Sequence, residues 1–187
     1  MHVPHGTGFG VASDVDEDAF DEDVRRQGLY VLELLLVVAI IGTLSAMAVS
    51  QVLRARMSVN EVAAIASMRA INSAQLSYSQ KCLGFAVSLV ELRSAGNFLS
   101  PDLTASDPVT KDAYTISLAP SASGAAIPVP PAGCTGTQTS YYATAAPLTL
   151  GISGNRSFAT DAQGTIFYNL TATPPTEASF PTGTTIQ

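Results

Sequence analysis

The sequence predicts an α+β fold, in which one long N-terminal helix packs on a small antiparallel sheet of three or four strands. Two observations predict it. An apolar run of 21 residues, Leu29–Val49, continues as an amphipathic segment that reaches about Gln80 without Gly or Pro, so one helix covers both. Beyond Pro101 the chain changes to short β-prone runs between clusters of Gly, Pro, Ser and Thr, the pattern of strands joined by turns.

The apolar run Leu29–Val49 is long enough to cross a membrane, because a helix rises about 1.5 Å per residue and the hydrocarbon layer is about 30 Å thick. Arg25 and Arg26 precede it, which predicts a cytoplasmic N-terminus by the positive-inside rule. Everything after the run is then exported across the inner membrane. Glu33 is the single charge within the run, and a carboxylate at that depth needs a partner or a position near the interface.

An apolar stripe continues along the helix beyond the membrane and predicts the face that packs on the rest of the chain. It comprises Val59, Val62, Ala66 and Ala70, with Ile65, Met68 and Ile71 beside them. Lys81 near the end of the segment and Gly84 just beyond it are typical of a helix C-terminus.

The remaining elements are short. Ser88 and Glu91 have the spacing of a capping box, which predicts a helix that ends at Ala95. Four runs read as strands: Ala113–Leu118, Ser140–Thr144, Arg156–Thr160 and Thr165–Leu170. The turn Asp161–Gly164 predicts a hairpin with a positive φ at Gly164. Pro120–Gly136 is predicted to be a long loop, and Pro174–Gln187 an irregular or disordered tail.

Charge is divided unevenly along the 187 residues. The first 28 residues hold seven acids and two arginines, a net charge of −5, whereas the remainder holds seven bases and eight acids, a net charge of −1. A nearly neutral body has no basic stripe for phosphates, so composition argues against nucleic-acid binding.

The sequence divides into an N-terminal segment of residues 1–28, a transmembrane helix of residues 29–49 and an exported domain of residues 50–187. The N-terminal segment contains the acidic stretch Asp14–Asp23. If translation starts at Val24 through a GTG codon, residues 1–23 are not translated and only a basic pentapeptide precedes Leu29.

Cys82 and Cys134 are the only cysteines, and an even count in an exported domain predicts a disulfide between them. It would close a loop of 52 residues, which is worth about 4 kcal/mol of stability on chain-entropy arithmetic.

The stretch RRQGLYVLELLLVVAIIG, Arg25–Gly42, resembles the prepilin cleavage and methylation motif of type IV pilins and type II secretion pseudopilins. The motif consists of basic residues, Gly, an apolar residue, three further residues, Glu, and then an unbroken apolar helix. The resemblance implies a pilin-like fold with a long N-terminal spine helix on a small sheet.

The resemblance also implies processing and assembly. Residues 1–28 would be a leader peptide, which a prepilin peptidase would remove by cutting between Gly28 and Leu29. The new amine of Leu29 would then be methylated. In related filaments the glutamate at the position of Glu33 pairs with the first amine of a neighbouring subunit. Gly42, four residues before Ala46, permits close helix approach. Family filaments loosen their helix between a glycine at this position and a proline eight residues on, where this chain has Ser50.

Enzyme chemistry has no support in the sequence. No histidine follows Gly28, and no GxGxxG, P-loop or HExxH motif occurs. The expected cofactors are none, apart from a candidate calcium ion, which some pseudopilins bind through their C-terminal loops. The acids that would serve it are Asp102, Asp107, Asp112 and Asp161. Surface carboxylates near turns are the other explanation for these four residues.

These observations favour a structural subunit of a type IV pilus-like filament that serves adhesion, twitching motility or DNA uptake. Its expected partners are copies of itself, a prepilin peptidase and the inner-membrane assembly platform; its expected location is the inner membrane and then a surface pilus. One alternative is a pseudopilin in a periplasmic type II secretion pseudopilus. Another is an anchored or secreted binding domain that does not assemble, released if a signal peptidase cuts after Ala48.

Overall fold

The computed structural model describes the backbone of residues 15–186 and the side chains of residues 24–47 and 51–186. The first fourteen residues of the predicted leader lie outside the described residues. In the described part the elements are α1 (Val15–Cys82), α2 (Leu89–Ser94), β1 (Val109–Lys111), β2 (Tyr114–Pro120), β3 (Tyr141–Pro147), β4 (Ser157–Asp161), β5 (Ile166–Asn169), a 3-10 helix (Glu177–Thr182) and β6 (Thr184–Ile186).

The six strands form one antiparallel sheet whose spatial order is the sequence order, β1 to β6. The predicted α+β class is therefore confirmed, and the four predicted strands correspond to β2–β5. The predicted strand number was too low. The two additional strands, β1 and β6, have three residues each, too few to show an alternating pattern, and they are strands because their backbones pair with β2 and β5.

Helix α1 begins at Val15, fourteen residues before the predicted start at Leu29, and ends at Cys82. No proline lies in the added segment. Gly28 does not interrupt the helix, since a single glycine costs a helix only about 1 kcal/mol.

The chain divides into two compact units, Met1–Gln51 and Val52–Gln187, and α1 contributes residues to both. Within Val52–Gln187, one face of α1 packs against the sheet and α2. The largest buried side chains of that face are Met68, Ile71, Gln75 and Tyr78, and they meet Tyr114, Ile116 and Phe158 in the core.

The predicted packing stripe on α1 was wrong in part: Met68 and Ile71 are buried and Ile65 packs against the core, as predicted, but the other four residues do not. Val59, Val62, Ala66 and Ala70 are all exposed, and the buried face lies across the helix from them. The buried face of α1 cannot be recognised from a pattern of apolar residues alone, because polar residues belong to it. Gln75 is 1% exposed, and its side-chain amide donates to and accepts from the backbone of Ala86, both at 2.9 Å. These bonds satisfy a polar group that would otherwise be costly to bury.

Helix α2 begins as predicted, with Ser88 at its N-cap and the Ser88 hydroxyl accepting from the Glu91 N–H. The Glu91 carboxylate reaches back one residue farther than a standard capping box and accepts from the Val87 N–H at 2.9 Å. The cap therefore also fixes the chain that enters α2.

The loop Pro120–Gly136 is attached to the C-terminal end of α1. A disulfide joins Cys82 and Cys134, the predicted pair, with their Cα atoms 5.6 Å apart. The Tyr78 hydroxyl donates to the Thr135 carbonyl at 3.1 Å, one helical turn before the disulfide. The loop thus has both a covalent and a polar attachment to the helix.

The segment Pro174–Gln187 is ordered over its described residues, contrary to the irregular or disordered tail that was predicted. Its 3-10 helix lies on the sheet face opposite α1, where the rings of Phe180 and Phe167 stack with their centroids 4.4 Å apart. The Tyr142 hydroxyl donates to the Pro175 carbonyl at 2.6 Å. A small second core, with Ala159 at its centre, therefore covers part of the outer sheet face.

Candidate functional site

The predicted processing motif lies on α1, within the unit Met1–Gln51. Every described side chain from Val24 to Met47 is exposed, and the large apolar ones are between 47% exposed (Val37) and 72% exposed (Tyr30). One helix of the described chain is long and apolar enough to span a membrane, and it contains this segment. A helix that is apolar on all sides is stable only where a membrane or another protein surface surrounds it.

Glu33 lies on the helix surface in a shallow groove with Tyr30, Leu34, Val37 and Val38. Among the described residues, none forms a hydrogen bond or an ion pair with its carboxylate. Leu29 is four residues earlier and so lies on the same side of α1, one turn away. Any partner that covers this groove therefore has to accommodate a carboxylate within an otherwise apolar contact.

Gly42 has open space around it, since a Cβ built on its backbone would meet no atom within 4 Å. Nothing in the single chain therefore requires glycine at this position. The hydroxyl of the adjacent Thr43 donates to the Ile40 carbonyl at 2.8 Å, so this polar side chain is satisfied within the helix itself.

A second exposed surface lies on α1 within the unit Val52–Gln187. We call it the outer stripe, and it consists of Val52, Val59, Val62, Ala66 and Ala70. Val59 and Val62 are 67% and 63% exposed. The steps of seven, three, four and four residues keep all five on one side of the helix. The outer stripe is the surface that sequence reasoning took for the packing face.

The five residues of the outer stripe carry no charge, although the exposed Arg56 and Arg69 lie on either side of it, and the nearest acid on α1, Glu61, lies on the buried face. Glu61 is 7% exposed, and one of its oxygens, Oε2, accepts from Arg156 Nε at 2.8 Å and forms an ion pair with Nη2 at 2.7 Å. The other oxygen accepts from the Asn155 N–H at 2.7 Å. All of these contacts join α1 to the start of β4.

Aromatic rings complete the surroundings of Arg156. Its guanidinium carbon lies 5.8 Å from the centroid of Phe158 and 5.4 Å from that of Tyr168, within cation–π range. The Tyr114 hydroxyl donates to the Arg156 carbonyl at 2.7 Å. Burial raises the pKa of this hydroxyl and the Glu61 charge raises it further, so Tyr114 remains a neutral donor.

The four candidate calcium ligands lie in separate surroundings. Asp102 forms an ion pair with Lys111 at 2.5 Å, and hydrogen bonds from Lys111 and Ser100 lower its pKa to about 2. Asp112, with Ala113, supplies the two positive φ angles of the β1–β2 turn, as a type I′ turn requires. Asp161 accepts from the Gln163 N–H at 2.9 Å and starts the predicted turn, in which Gly164 has a φ of 77°.

The fourth candidate, Asp107, is half-buried and bridges two elements. Its two oxygens accept from the Leu89 N–H at 2.8 Å and the Leu118 N–H at 3.1 Å. Burial raises the pKa of the carboxyl, whereas the two backbone hydrogen bonds lower it. Among the described residues, no three His, Cys, Asp or Glu side chains are grouped as a metal site requires.

Sequence reasoning missed Glu61 and Arg156. A signal for Glu61 existed, because it lies three and seven residues before Ala64 and Met68, both of which are buried, and so shares their helix face. A charge on a packing face needs a partner of opposite sign. No short-range pattern identifies Arg156, which is 95 residues away in the chain.

Comparison of the chain with protein-family models, with curated proteins and with solved structures gave no match.

Proposed function

We propose that the chain is a structural subunit of a type IV pilus-like filament, built through the N-terminal part of α1 after removal of the leader. The observation that carries the proposal is the motif itself: Gly28, an apolar Leu29, and a lone carboxylate at Glu33 within an unbroken apolar run. The remaining support comes from the surfaces of α1.

The exposed apolar segment supports a state in which other helices or lipid cover it. Burial of apolar surface contributes about 25 cal/mol per Å², so a helix that is apolar all round has a large driving force to leave water. Glu33 opposes this burial, because an unpaired carboxylate in an apolar contact costs several kcal/mol. A positive partner removes that cost, and the amine of Leu29 on a neighbouring subunit is the partner that we propose.

The outer stripe extends this reasoning to the exported part of the helix. Its valines and alanines are small and uncharged, so another helix can approach closely along Val52–Ala70. We propose that this stripe lies toward the filament axis, with the sheet on the outside. Gly42 serves the same purpose in the membrane segment, since its missing side chain is not needed within the single chain.

The proposed orientation places Arg25 and Arg26 in the cytoplasm and residues 50–187 outside the inner membrane before assembly. The disulfide between Cys82 and Cys134 fits this location, because disulfides persist in oxidising compartments. The loop Pro120–Gly136 favours a pilin exposed at the cell surface over a periplasmic pseudopilin.

The decisive experiment is mass spectrometry of the N-terminal peptide of the mature protein, purified from membranes or sheared filaments. We expect it to start at Leu29 and to carry one added methyl group. A Gly28→Glu variant is the matched control and should retain its leader. A wild-type start upstream of Arg25, or at Val49 after cleavage behind Ala48, would refute the filament proposal.

The same preparation distinguishes pilus from pseudopilus. If the processed protein is recovered in filaments sheared from the cell surface, it is a pilin. If it is processed but stays in the periplasmic and membrane fractions, the pseudopilin alternative is correct.

A further inference from the structure

A cleft of about 380 Å³ lies on the outer side of the sheet, beside the 3-10 helix. We call it the serine cleft. Five separate segments line it: the loop after β2, the residue before β3, the β4–β5 hairpin, β5 and the 3-10 helix. The volume is within the range of small-molecule sites, about 300 to 1,000 Å³, and none of its lining residues belongs to the proposed assembly surface.

The walls of the serine cleft are fixed before any ligand arrives. Glu177 Oε2 accepts from the Ala122 N–H at 2.8 Å and so holds the 3-10 helix against the loop after β2. In that loop the hydroxyls of Ser121 and Ser123 are 2.9 Å apart. A preformed wall lowers the entropy cost of binding, because fewer groups have to be ordered.

The lining leaves hydrogen-bonding capacity unused. Asp161 uses Oδ1 for the Gln163 N–H, and among the described residues no group donates to its Oδ2. Glu177 likewise has no described donor at Oε1. The Gln163 side chain is exposed and brings both a donor and an acceptor. Carboxylate acceptors, serine hydroxyls and the Gln163 side-chain amide therefore surround the cleft.

The charge of the cleft selects among ligand classes. Two carboxylates line it, and none of the described lining residues is Lys, Arg or His, so anionic ligands are repelled. A metal ion is disfavoured, because the described acids are not grouped in threes. Four of the polar lining groups are neutral, namely three serine hydroxyls and the Gln163 amide, although the Ser121 hydroxyl is buried and bonds the Ser123 hydroxyl. Pro181 adds exposed apolar surface beside them, whereas Phe180 is only 8% exposed.

We propose that the serine cleft binds a short neutral saccharide. Its hydroxyls both donate and accept, which matches carboxylate acceptors interleaved with serine and amide groups. Its C–H faces match the exposed apolar surface of Pro181. The site lies wholly within Val52–Gln187, so the proposal does not depend on whether the chain assembles into filaments.

The test uses the full-length chain in a detergent without a sugar headgroup, because an alkyl glycoside would compete. A panel of neutral and acidic mono- and disaccharides is screened by saturation-transfer NMR, and the neutral saccharide with the strongest signal is titrated by calorimetry. Gln163→Ala and Asp161→Asn should each weaken its binding about tenfold, the effect of one lost hydrogen bond to a ligand. Gln80→Ala changes an exposed glutamine on α1 and should bind as the wild type does.

Three results would overturn the proposal. The first is that no neutral saccharide binds. The second is that one binds equally well to Gln163→Ala and Asp161→Asn, which would place the site elsewhere. The third is that no saccharide binds, whereas spermidine or Ca²⁺ binds to the wild type and not to Asp161→Asn. That result would make the cleft a cation site. Unchanged thermal unfolding of the variants shows that any loss is local.

Discussion

Glu61 and Arg156 are 95 residues apart in the chain, and one carboxylate oxygen joins their side chains through a hydrogen bond from Nε at 2.8 Å and an ion pair with Nη2 at 2.7 Å. The pair connects the helix to β4 at a buried position. Because the Asn155 N–H occupies the other oxygen, the carboxylate is satisfied on both sides. It is the strongest polar connection between α1 and the sheet in the described part of the chain.

Replacing Glu61 by Gln should therefore destabilise the exported domain. Glu61 is buried but the Arg156 side chain is 34% exposed, so the expected cost is that of the lost charged hydrogen bonds, about 1–3 kcal/mol. The free energy of unfolding, from urea titration followed by circular dichroism, measures the loss. Asp102→Asn is the matched control, since it removes an exposed carboxylate from its pair with Lys111 and exposed pairs contribute little. If the two variants lower the free energy of unfolding equally, the Glu61–Arg156 pair contributes no more to stability than an exposed ion pair does.

Asp107 gives a prediction about pH. Burial raises its pKa above the ordinary value of 3.8, so the folded state holds this proton more tightly than the unfolded state does. As pH rises from 3.8 through the raised pKa, the wild type loses stability at this site. Asp107→Asn cannot titrate and loses one of the two backbone acceptors, which costs about 1–3 kcal/mol.

The deficit of Asp107→Asn should therefore be largest near pH 3.8 and become smaller as pH rises. Urea titrations of wild type and variant at several pH values measure this. A constant difference between the two proteins would mean that the Asp107 pKa is not raised in the folded state.

Glu33→Ala tests the proposed pairing in the filament. The variant should insert into the membrane, because removal of a charge makes the segment more apolar, but it should assemble poorly for lack of an attraction to the neighbouring amine. The measurements are the amounts of protein in membranes and in sheared filaments. Thr43→Ala, which removes another polar group from the same helix, should assemble normally. Filaments of normal yield and length from Glu33→Ala would contradict the pairing role.

Ala66→Glu tests the outer stripe. The side chain is exposed in the single chain, so the variant should fold and unfold as the wild type does, whereas a charge in a helix contact should sharply reduce filament yield. Ala172→Glu makes the same substitution at an exposed position outside α1 and should leave the yield unchanged. If both variants assemble normally, the outer stripe is not a contact surface.

The sequence was sufficient for the class of the fold and for strands β2–β5, because alternation and turn residues are local properties. It predicted the cap at Ser88 and the positive φ at Gly164 for the same reason. It was insufficient for β1 and β6, whose strand state depends on partners, and for the packing face of α1. There, two apolar faces compete, and the buried one contains Glu61 and Gln75, whose polar groups are satisfied only by residues distant in the chain.

The candidate site follows the same division. Glu33 and Gly42 belong to a contiguous motif and could be named from the sequence, and the cysteine pair followed from a count of two. The serine cleft could not be predicted, since its lining comes from five segments that only the folded sheet brings together.

The agreement between strand order and sequence order has a consequence for how the protein forms. Each strand of the sheet pairs with the strand that precedes it in the chain, so a strand that emerges in chain order meets a partner that is already there. Such pairings have short loop closures, apart from the connections between β2 and β3 and between β5 and β6, and short closures favour fast folding. The 3-10 helix and β6 come after the other described elements in the chain, so their arrival completes both the second core and the serine cleft.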